Sequence, residues 1–491
     1  MSIADTILTS RCTVLGVGIS NLPLIEVLVK MKNGGGDITV RDKKTAVQLG
    51  EVAERLSELG VILICGDDYM RGLGGETGVI FRSPGFRPDV DEIAAAVKNG
   101  AILSSEMEFF FEVCPSTEQI IGVTGSDGKT TTTTLLYEIL RTEFANKKIY
   151  VGGNIGAPLL PYADEMRKSD VPDIAVELSS FQLQTMRKSP GTAVITNISP
   201  NHLNWHTDMD EYVEAKKNLL AHGGCRHAVL NYANDITRGI AADIAQNRAD
   251  LRITYFTRGD FPAEILRTDD RAVLLSDDGA VYVLFADGER KDIFNVSEIK
   301  LPGKHNWENY MAATAALIDF VSPDSISAVA RTFAGVPHRA EFVRTTEDGV
   351  SFYNSSIDSS PTRTAAAISA FKDGNRLDGG KKLVVICGGY DKNIPYEPLA
   401  DALLSHGKIR AVVLTGATMG AICRVIESHT DFASAGVKVV CERGFDAAVL
   451  AARGEAMLGD VVILTPACAS FDAFANFEER GDYFKEIVHG F

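Results

Sequence analysis

Short apolar runs, each ending at a glycine or a polar cluster, recur along the whole chain. Cys12-Thr13-Val14-Leu15 runs into Gly16-Val17-Gly18-Ile19-Ser20, and Asp37-Ile38-Thr39-Val40 stops at Arg41-Asp42. Gln119-Ile120-Ile121-Gly122-Val123-Thr124, Ala175-Val176-Glu177-Leu178 and Ala193-Val194-Ile195 follow the same rule. So do Leu383-Val384-Val385-Ile386-Cys387, Val412-Val413-Leu414 and Val461-Val462-Ile463-Leu464. Apolar runs of this length, separated by helix-forming segments, predict buried parallel strands. One stretch departs from this: Val273 to Val283 reads as a hairpin turning at Asp278-Gly279. The expectation is an α/β fold of mostly parallel sheets, with ligands beyond the strands' carboxyl ends. At 491 residues the chain is too long for one core, and three domains are expected.

The strand ending at Thr124 is followed by Gly125-Ser126-Asp127-Gly128-Lys129-Thr130-Thr131 and then by Thr132 to Leu140, which can continue as a helix. Strand, glycine turn and Lys-Thr opening a helix is the layout of a phosphate-binding loop. Glycines let backbone N–H groups close around phosphate oxygens. The helix N-terminus and the lysine add positive potential, and the hydroxyl can reach Mg²⁺. The strict pattern would place glycine at 123; here Val123 stands there and Gly122 one place earlier. The flanking strand and helix outweigh that departure, and ATP or GTP is the expected ligand.

Composition changes this picture little. Hydrophobic content of 45% and charged content of 23% are ordinary for a globular enzyme. The net charge of −16 argues against unaided nucleic-acid binding but not against nucleotide binding, which needs only a local positive field. No apolar run is long enough to cross a bilayer and no secretory signal is evident at Met1 to Asp5. The eight cysteines are scattered without a CxxC pair, which predicts small core residues of a reducing cytoplasm.

Polar clusters sit where strands should end. Gly152-Gly153-Asn154-Ile155-Gly156, Glu177-Leu178-Ser179-Ser180-Phe181-Gln182 and Asn197-Ile198-Ser199-Pro200-Asn201-His202-Leu203-Asn204-Trp205-His206 are three of them. Each alone is compatible with a turn or a helix cap; together in one phosphate-loop domain they read as a metal and substrate shell. Glu177 is the candidate Mg²⁺ ligand, because Mg²⁺ on nucleotide phosphates takes one or two protein carboxylates. His202 is a candidate for a second ion or for a phosphate oxygen; two histidines without a nearby cysteine do not favour zinc. In the first domain, Gly16-Val17-Gly18 would hold a pyrophosphate and Asp42, after the second strand, would meet a ribose, as in half of a dinucleotide fold, although Asn21 stands at the third glycine position.

These motifs, in this order, resemble the Mur ligases, the family that adds amino acids to the peptide stem of peptidoglycan precursors. The resemblance spans essentially the whole chain. It rests on Thr124 to Thr131, Gly153-Asn154-Ile155-Gly156, Glu177 to Gln182, Asn201-His202-Leu203, Gly303-Lys304-His305-Asn306-Trp307-Glu308-Asn309 and Gly335-Val336-Pro337-His338-Arg339. Pro466-Ala467-Cys468-Ala469-Ser470-Phe471-Asp472 with Asn476-Phe477-Glu478-Glu479-Arg480-Gly481 resembles the D-glutamate-adding branch. The resemblance implies a Rossmann-like N-terminal domain over 1–112 for a UDP-sugar. It also implies a central ATP-binding P-loop domain over 113–334 and a Rossmann-like C-terminal domain over 335–491 for the amino acid and nucleotide. It further implies a cytoplasmic, monomeric enzyme of cell-wall biogenesis whose partners are small molecules, UDP-N-acetylmuramoyl-L-alanine and D-glutamate, with ATP and Mg²⁺.

By carry-over, Gly125, Ser126, Asp127, Gly128, Lys129, Thr130 and Thr131 would cradle the phosphates, with Asn306, Asn309 and Arg339 on the nucleotide. Thr130, Glu177, His202 and Lys216 would serve the metal ions, and Lys129, His202 and Lys216 the chemistry. Gly18, Ser83, Asn154, Ser179, Ser180 and Gln182 would contact the acceptor, and Lys392, Ser470 and Phe477 the amino acid. Lys216, in Tyr212-Val213-Glu214-Ala215-Lys216, matches a family motif whose lysine is carbamylated; without the family it would read as a solvated helical lysine.

One segment departs from the family. Where an Asn-Asp-Ser-Lys-type run is usual, the chain has Asn354-Ser355-Ser356-Ile357-Asp358, so Ser355 and Ile357 replace the acid and the lysine. Asp358 and Arg363 are candidates to restore those charges. Three other readings stay open on sequence: a related or folylpolyglutamate-type ligase for another amino acid, a non-catalytic UDP-sugar and nucleotide binder, and a nicotinamide oxidoreductase built on Gly16-Val17-Gly18.

Overall fold

The computed structural model describes residues 3–491 apart from 19, 77, 204, 302, 373–376, 378, 379 and 393. Ile19 of the first glycine turn, Asn204 of the His202 cluster and Asn393 beside Lys392 thus lie outside the described residues. Among the described residues, three sheets of five, nine and six strands form. They lie in two compact units, Met1–Val296 with Glu308–Val329 and Ser297–Trp307 with Ala330–Phe491. The first two sheets belong to the first unit and the third to the second.

The first sheet comprises β1 (Cys12–Leu15), β2 (Ile38–Asp42), β3 (Ile62–Cys65), β4 (Val79–Arg82) and β5 (Ile102–Ser104). It is parallel throughout, in the order β3-β2-β1-β4-β5. The strand order reverses between β1 and β4, so their carboxyl ends, leading into Gly16 and Ser83, frame a crevice at a topological switch point. Gly16 has φ +84°, and a Cβ there would lie 3.0 Å from the Phe86 ring and 3.3 Å from Ser83 Cβ.

The second sheet holds β6 (Ile120–Thr124), β7 (Tyr150–Gly153), β8 (Ile174–Glu177), β9 (Thr192–Ile195), β10 (His227–Asn231), β11 (Arg252–Thr257), β12 (Arg271–Leu275), β13 (Ala280–Phe285) and β14 (Arg290–Asn295). Its order is β14-β13-β12-β11-β10-β9-β6-β8-β7. It is parallel from β7 to β12 and antiparallel through β13 and β14. The hairpin expected around Asp278-Gly279 is β12–β13. β14 carried no strand signal because it opens with the exposed Arg290-Lys291-Asp292, as a solvated edge strand does. β6 lies between β8 and β9, so Thr124, Glu177 and Thr196 all emerge at one sheet end.

The helix Glu106–Val113 links the two sheets. Its Phe109, Phe110 and Phe111 sit in one apolar cluster with Val14 and Phe81 of the first sheet and Ile120, Val176 and Leu183 of the second. Full burial of each phenylalanine contributes on the order of 1.5–3 kcal/mol. Position 112, the expected domain boundary, falls inside this helix.

The third sheet contains β15 (Glu341–Thr345), β16 (Ser351–Asn354), β17 (Leu383–Gly388), β18 (Ile409–Thr415), β19 (Lys438–Cys441) and β20 (Val461–Leu464). Its order is β15-β16-β20-β17-β18-β19, parallel except for β15. Along β17 the side chains alternate between two cores: Leu383, Val385 and Cys387 on one face, Val384 and Ile386 on the other.

All eight cysteines are free thiols. Five are buried as expected, but Cys441 is exposed and Cys65 and Cys423 are half-buried. Cys441 corrects the expectation of core cysteines for a simple reason: it ends an edge strand. No helix among the described residues is long and apolar enough to cross a membrane.

Candidate active site

The phosphate loop occupies the carboxyl end of β6, and the helix Lys129–Glu143 begins at its lysine. Two glycines are required by space. A Cβ on Gly125 would lie 1.9 Å from Thr196 Oγ1, and one on Gly128 would lie 2.3 Å from Asn309 Oδ1. Asn309 thus sits against the loop, and Thr132 Oγ1 donates to its Oδ1 at 3.4 Å. The end of β9 staples the loop from the other side. The Ser126 N–H donates to Asn197 O at 2.8 Å, the Asp127 N–H to Asn197 Oδ1 at 3.0 Å and Thr196 Oγ1 to Asp127 O at 2.5 Å. Lys129 Nζ donates to Gly125 O and Ser126 O, each at 2.9 Å, which folds the ammonium back over the loop. Thr130 is buried in the first helical turn.

Glu177 ends β8 and is 2% exposed. Its Oε1 accepts from Asn154 Nδ2 at 2.8 Å, whereas its Oε2 is buried with no hydrogen-bond partner. A buried carboxylate oxygen left unpaired is costly unless a cation completes it, so Glu177 fits a Mg²⁺ ligand. Gly153 brings Asn154 into place: a Cβ there would lie 2.2 Å from Glu177 O. Ser179 and Gln182 form a reciprocal capping box on the helix Ser180–Leu183, which fixes the turn immediately after Glu177.

Lys216 is 1% exposed, on the helix Met209–Ala221. Its Nζ donates to Gly125 O at 2.7 Å and Thr124 Oγ1 at 3.4 Å, and lies 4.6 Å from the centre of the Tyr212 ring. Burial, then the charge of Lys129, holds its pKa well below that of a free lysine, with Asp127 and Glu177 opposing. The solvated-lysine reading is therefore overturned. His202 adopts φ 55° and packs edge-on against Phe181 at 5.0 Å between ring centres. Desolvation, then Lys129 and Lys216, lowers its pKa, so the imidazole is neutral at pH 7. Lys129, Glu177, His202 and Lys216 thus surround one phosphate loop. Among the described residues no three His, Cys, Asp or Glu side chains converge on a metal position; substrate phosphates and water would complete a Mg²⁺ shell here.

In the first sheet the Ser83 N–H donates to Leu15 O at 3.1 Å, tying the Ser83 loop to the β1 end. Gly18 is exposed, with open space where a Cβ would lie. Asp42 does not face outward for a ribose. Its Oδ2 accepts from the Val17 N–H at 2.7 Å and its Oδ1 from the Lys44 N–H at 2.8 Å, so the carboxylate braces the glycine turn itself.

In the second unit, Tyr390 pairs with Ala469 across an isolated bridge, which brings the Lys392 and Ser470 loops together. Lys392 Nζ donates to Ser359 O and Oγ, each at 3.0 Å, and Ser470 is buried. Arg480, 2% exposed, donates to Ser356 O, Ser356 Oγ, Cys468 O and Ala469 O. Burial lowers its pKa to about 10. It clamps the Asn354–Asp358 segment to the Cys468 loop, and Phe477, half-buried, accepts from Ser356 Oγ through its carbonyl at 2.8 Å. Asp358 is buried and accepts from Ser355 Oγ at 2.5 Å and Thr465 Oγ1 at 3.1 Å; burial raises its pKa, with these bonds, Arg339 and Arg363 opposing. Asp358 thus sets a carboxylate directly against Ser355. Arg339 is exposed, and Asn306 belongs to this same unit.

Family models for the Mur ligase middle domain and for the Mur ligase, glutamate ligase domain match residues 123–317 and 338–468. The chain is 45% identical over 483 residues to the UDP-N-acetylmuramoylalanine–D-glutamate ligase of Acetivibrio thermocellus, covering 98% of this chain and 96% of the relative. It is 43% identical to the enzyme of the same name from Clostridium novyi, covering 99% and 98%. The chain belongs to the Mur ligase family. The fold agrees with that of the UDP-N-acetylmuramate–alanine ligase of Thermotoga maritima, at TM-score 0.51 and 16% identity over 98% of this chain and 99% of that one.

Several residues that shape these loops, each within its own unit, escaped sequence reading. Thr196, Asn197, Tyr212 and Arg480 lay within or beside quoted motifs, but nothing local marks them as loop staples. Tyr212 OH meets Ser126 Oγ at 2.9 Å. A cavity of about 550 Å³ lies at the opposite end of the second sheet. Lys168, Arg226, Arg252 and Arg271 line it with Glu118, Asp170 and Asp269. It is remote from the phosphate loop and mixed in charge, so it is not the active site.

Proposed function

We propose that the chain ligates D-glutamate to UDP-N-acetylmuramoyl-L-alanine, converting ATP to ADP and phosphate, in peptidoglycan precursor synthesis. The observation that carries this reading is the unpaired buried oxygen of Glu177 beside the phosphate loop and the buried Lys216. It stands in a chain whose curated relatives bear that name over nearly their full length. We place the acceptor, central and amino-acid domains at 1–112, 113–334 and 335–491, in a monomer of the cytoplasm.

A carboxylate oxygen of the acceptor attacks the γ-phosphorus of ATP, and ADP leaves. The glutamate amine then attacks the acyl carbon, the C–O bond breaks, and phosphate departs with one acceptor oxygen. Two anions must meet in the first step, so fixed cations and N–H dipoles carry the catalysis. The Gly125–Thr131 backbone and Lys129 hold the phosphates, with Asn306, Asn309 and Arg339 on the rest of the nucleotide. Thr130, Glu177, His202 and Lys216 would hold Mg²⁺, which when bound neutralises charge on the phosphates. Burial, then the charge of Lys129, lowers the Lys216 pKa and so favours the amine that can add CO₂ with release of a proton; the resulting carbamate is an anion suited to that role. Gly18, Ser83 and Asn154 contact the acceptor, with Ser179, Ser180 and Gln182 holding the turn beside it. Lys392, Ser470 and Phe477 receive glutamate.

Acceptor labelled with ¹⁸O in its carboxylate is expected to deliver one label to each phosphate released; unlabelled phosphate would contradict the acyl-phosphate route. Lys392→Ala is expected to raise the KM for D-glutamate by about tenfold or more and that for ATP little, because a charged ground-state contact to one substrate is lost. An unchanged glutamate KM in steady-state assays would remove Lys392 from the site.

A further inference from the structure

We propose that the Arg87–Glu211 ion pair is a positioning device that fastens the Ser83 loop of the first sheet to the loop carrying His202. This inference rests on the reading of both loops as parts of the active site. Arg87 follows the Ser83-Pro84-Gly85 turn. Its guanidinium donates to Trp205 O and, through Nη2, to Glu211 Oε1 at 3.0 Å. It also pairs with Asp89 at 2.7 Å. Arg87 and Glu211 are only about a quarter exposed, at 23% and 22% of their side chains, so this pair is less screened than a surface one.

Glu211 gathers the rest. Its Oε2 accepts from the Thr207 N–H at 2.6 Å and Thr207 Oγ1 at 3.0 Å, and its Oε1 accepts from Gln184 Nε2 at 2.5 Å. Gln184 ends the short helix that follows Glu177. One carboxylate therefore joins three segments: the turn after β4, the segment after Glu177, and the His202–Thr207 loop.

The loop needs such a tie. His202 stands in the left-handed region at φ 55°, which is strained for a non-glycine residue and persists only where its surroundings over-determine it. The Trp205 and His206 N–H groups donate to His202 O at 2.9 and 3.0 Å. His206 stacks on Phe181 at 5.6 Å and meets Ser180 Oγ at 2.9 Å. Those contacts close the loop on itself and on the Glu177 segment, and Arg87 fastens it to the first sheet. A phosphate-transfer site loses rate steeply when a positioned group moves by about 1 Å.

The test uses the full chain with Arg87→Ala, Arg87→Lys and Glu211→Gln. By hydrogen exchange, peptides covering 201–208 are expected to exchange about tenfold faster in Arg87→Ala and Glu211→Gln, while those covering Ile120–Thr124 keep the wild-type rate. In assays kcat is expected to fall about 10²-fold, with the KM for D-glutamate within about twofold, and Arg87→Lys to recover part of the loss. The volume-conserving Arg87→Lys and Glu211→Gln carry the test should Arg87→Ala not fold. Unchanged exchange at 201–208, a uniform rise across all peptides, or a kcat within about twofold of wild type would overturn the proposal. Wild-type protein that does not ligate D-glutamate would instead overturn the proposed function, and the exchange data would still judge the Arg87–Glu211 tie.

Discussion

Lys129→Ala is expected to lower ligation by about 10²–10³-fold while the protein stays folded. The lysine is the cation of the phosphate loop, folded over Gly125 O and Ser126 O. The loop's shape depends on Gly125, Gly128 and the staples from Thr196 and Asn197. A circular-dichroism spectrum and melting curve like those of the wild type, with turnover reduced as stated, is the expected pair of results. Lys129→Arg is expected to recover little, because a planar fork does not replace a compact ammonium in a tight loop. Near wild-type turnover of Lys129→Ala would remove the loop from the chemistry.

Lys216→Met is expected to abolish ligation and, in CO₂-free buffer, to stabilise the protein. The folded chain holds the Lys216 ammonium well below its usual pKa, chiefly by burial. Between that depressed value and the ordinary lysine value near 10.4, the unfolded chain binds the extra proton. Stability of the wild type therefore falls as pH drops through that window, and methionine removes the effect. The difference in melting temperature should favour Lys216→Met and widen as pH falls below the ordinary lysine value. Supplying ¹³CO₂ should place a carbamate carbon signal in the wild type and none in Lys216→Met. Full activity of Lys216→Met, with no label on the wild type, would exclude carbamylation.

Much of the fold was legible because buried parallel strands carry their signal in consecutive residues. β1, β6, β8, β9, β17 and β20 all coincide with apolar runs, and the β12–β13 hairpin with its Asp-Gly turn. β14 was not legible, since an exposed edge needs no apolar pattern. The phosphate loop was legible for the same local reason. Glu177 could be named from its place at a strand end, but its unpaired Oε2 depends on where Asn154 folds. Asp42 sits where a ribose ligand was expected, yet its carboxylate turns inward onto Val17 and Lys44.

Long-range polar contacts were the least legible. Arg82 is buried and donates to Phe181 O at 2.8 Å and Thr185 Oγ1 at 3.0 Å, about one hundred positions away in sequence. Arg480 joins Ser356 to Cys468 in the same manner. No spacing rule pairs such groups, since only the packed sheets bring them together. Asp358 could be named from sequence as a candidate for the acid missing at 355, but its bond to Ser355 appears only in the folded chain.

The most direct measurement is product formation by the purified chain with ATP, Mg²⁺ and UDP-N-acetylmuramoyl-L-alanine, followed by mass spectrometry across a panel of D- and L-amino acids. The account predicts a product heavier than the acceptor by one glutamate residue, formed with D-glutamate, absent with L-glutamate, and matched mole for mole by ADP. A product with an L-amino acid or a diamino acid instead, or no product with D-glutamate, would contradict it.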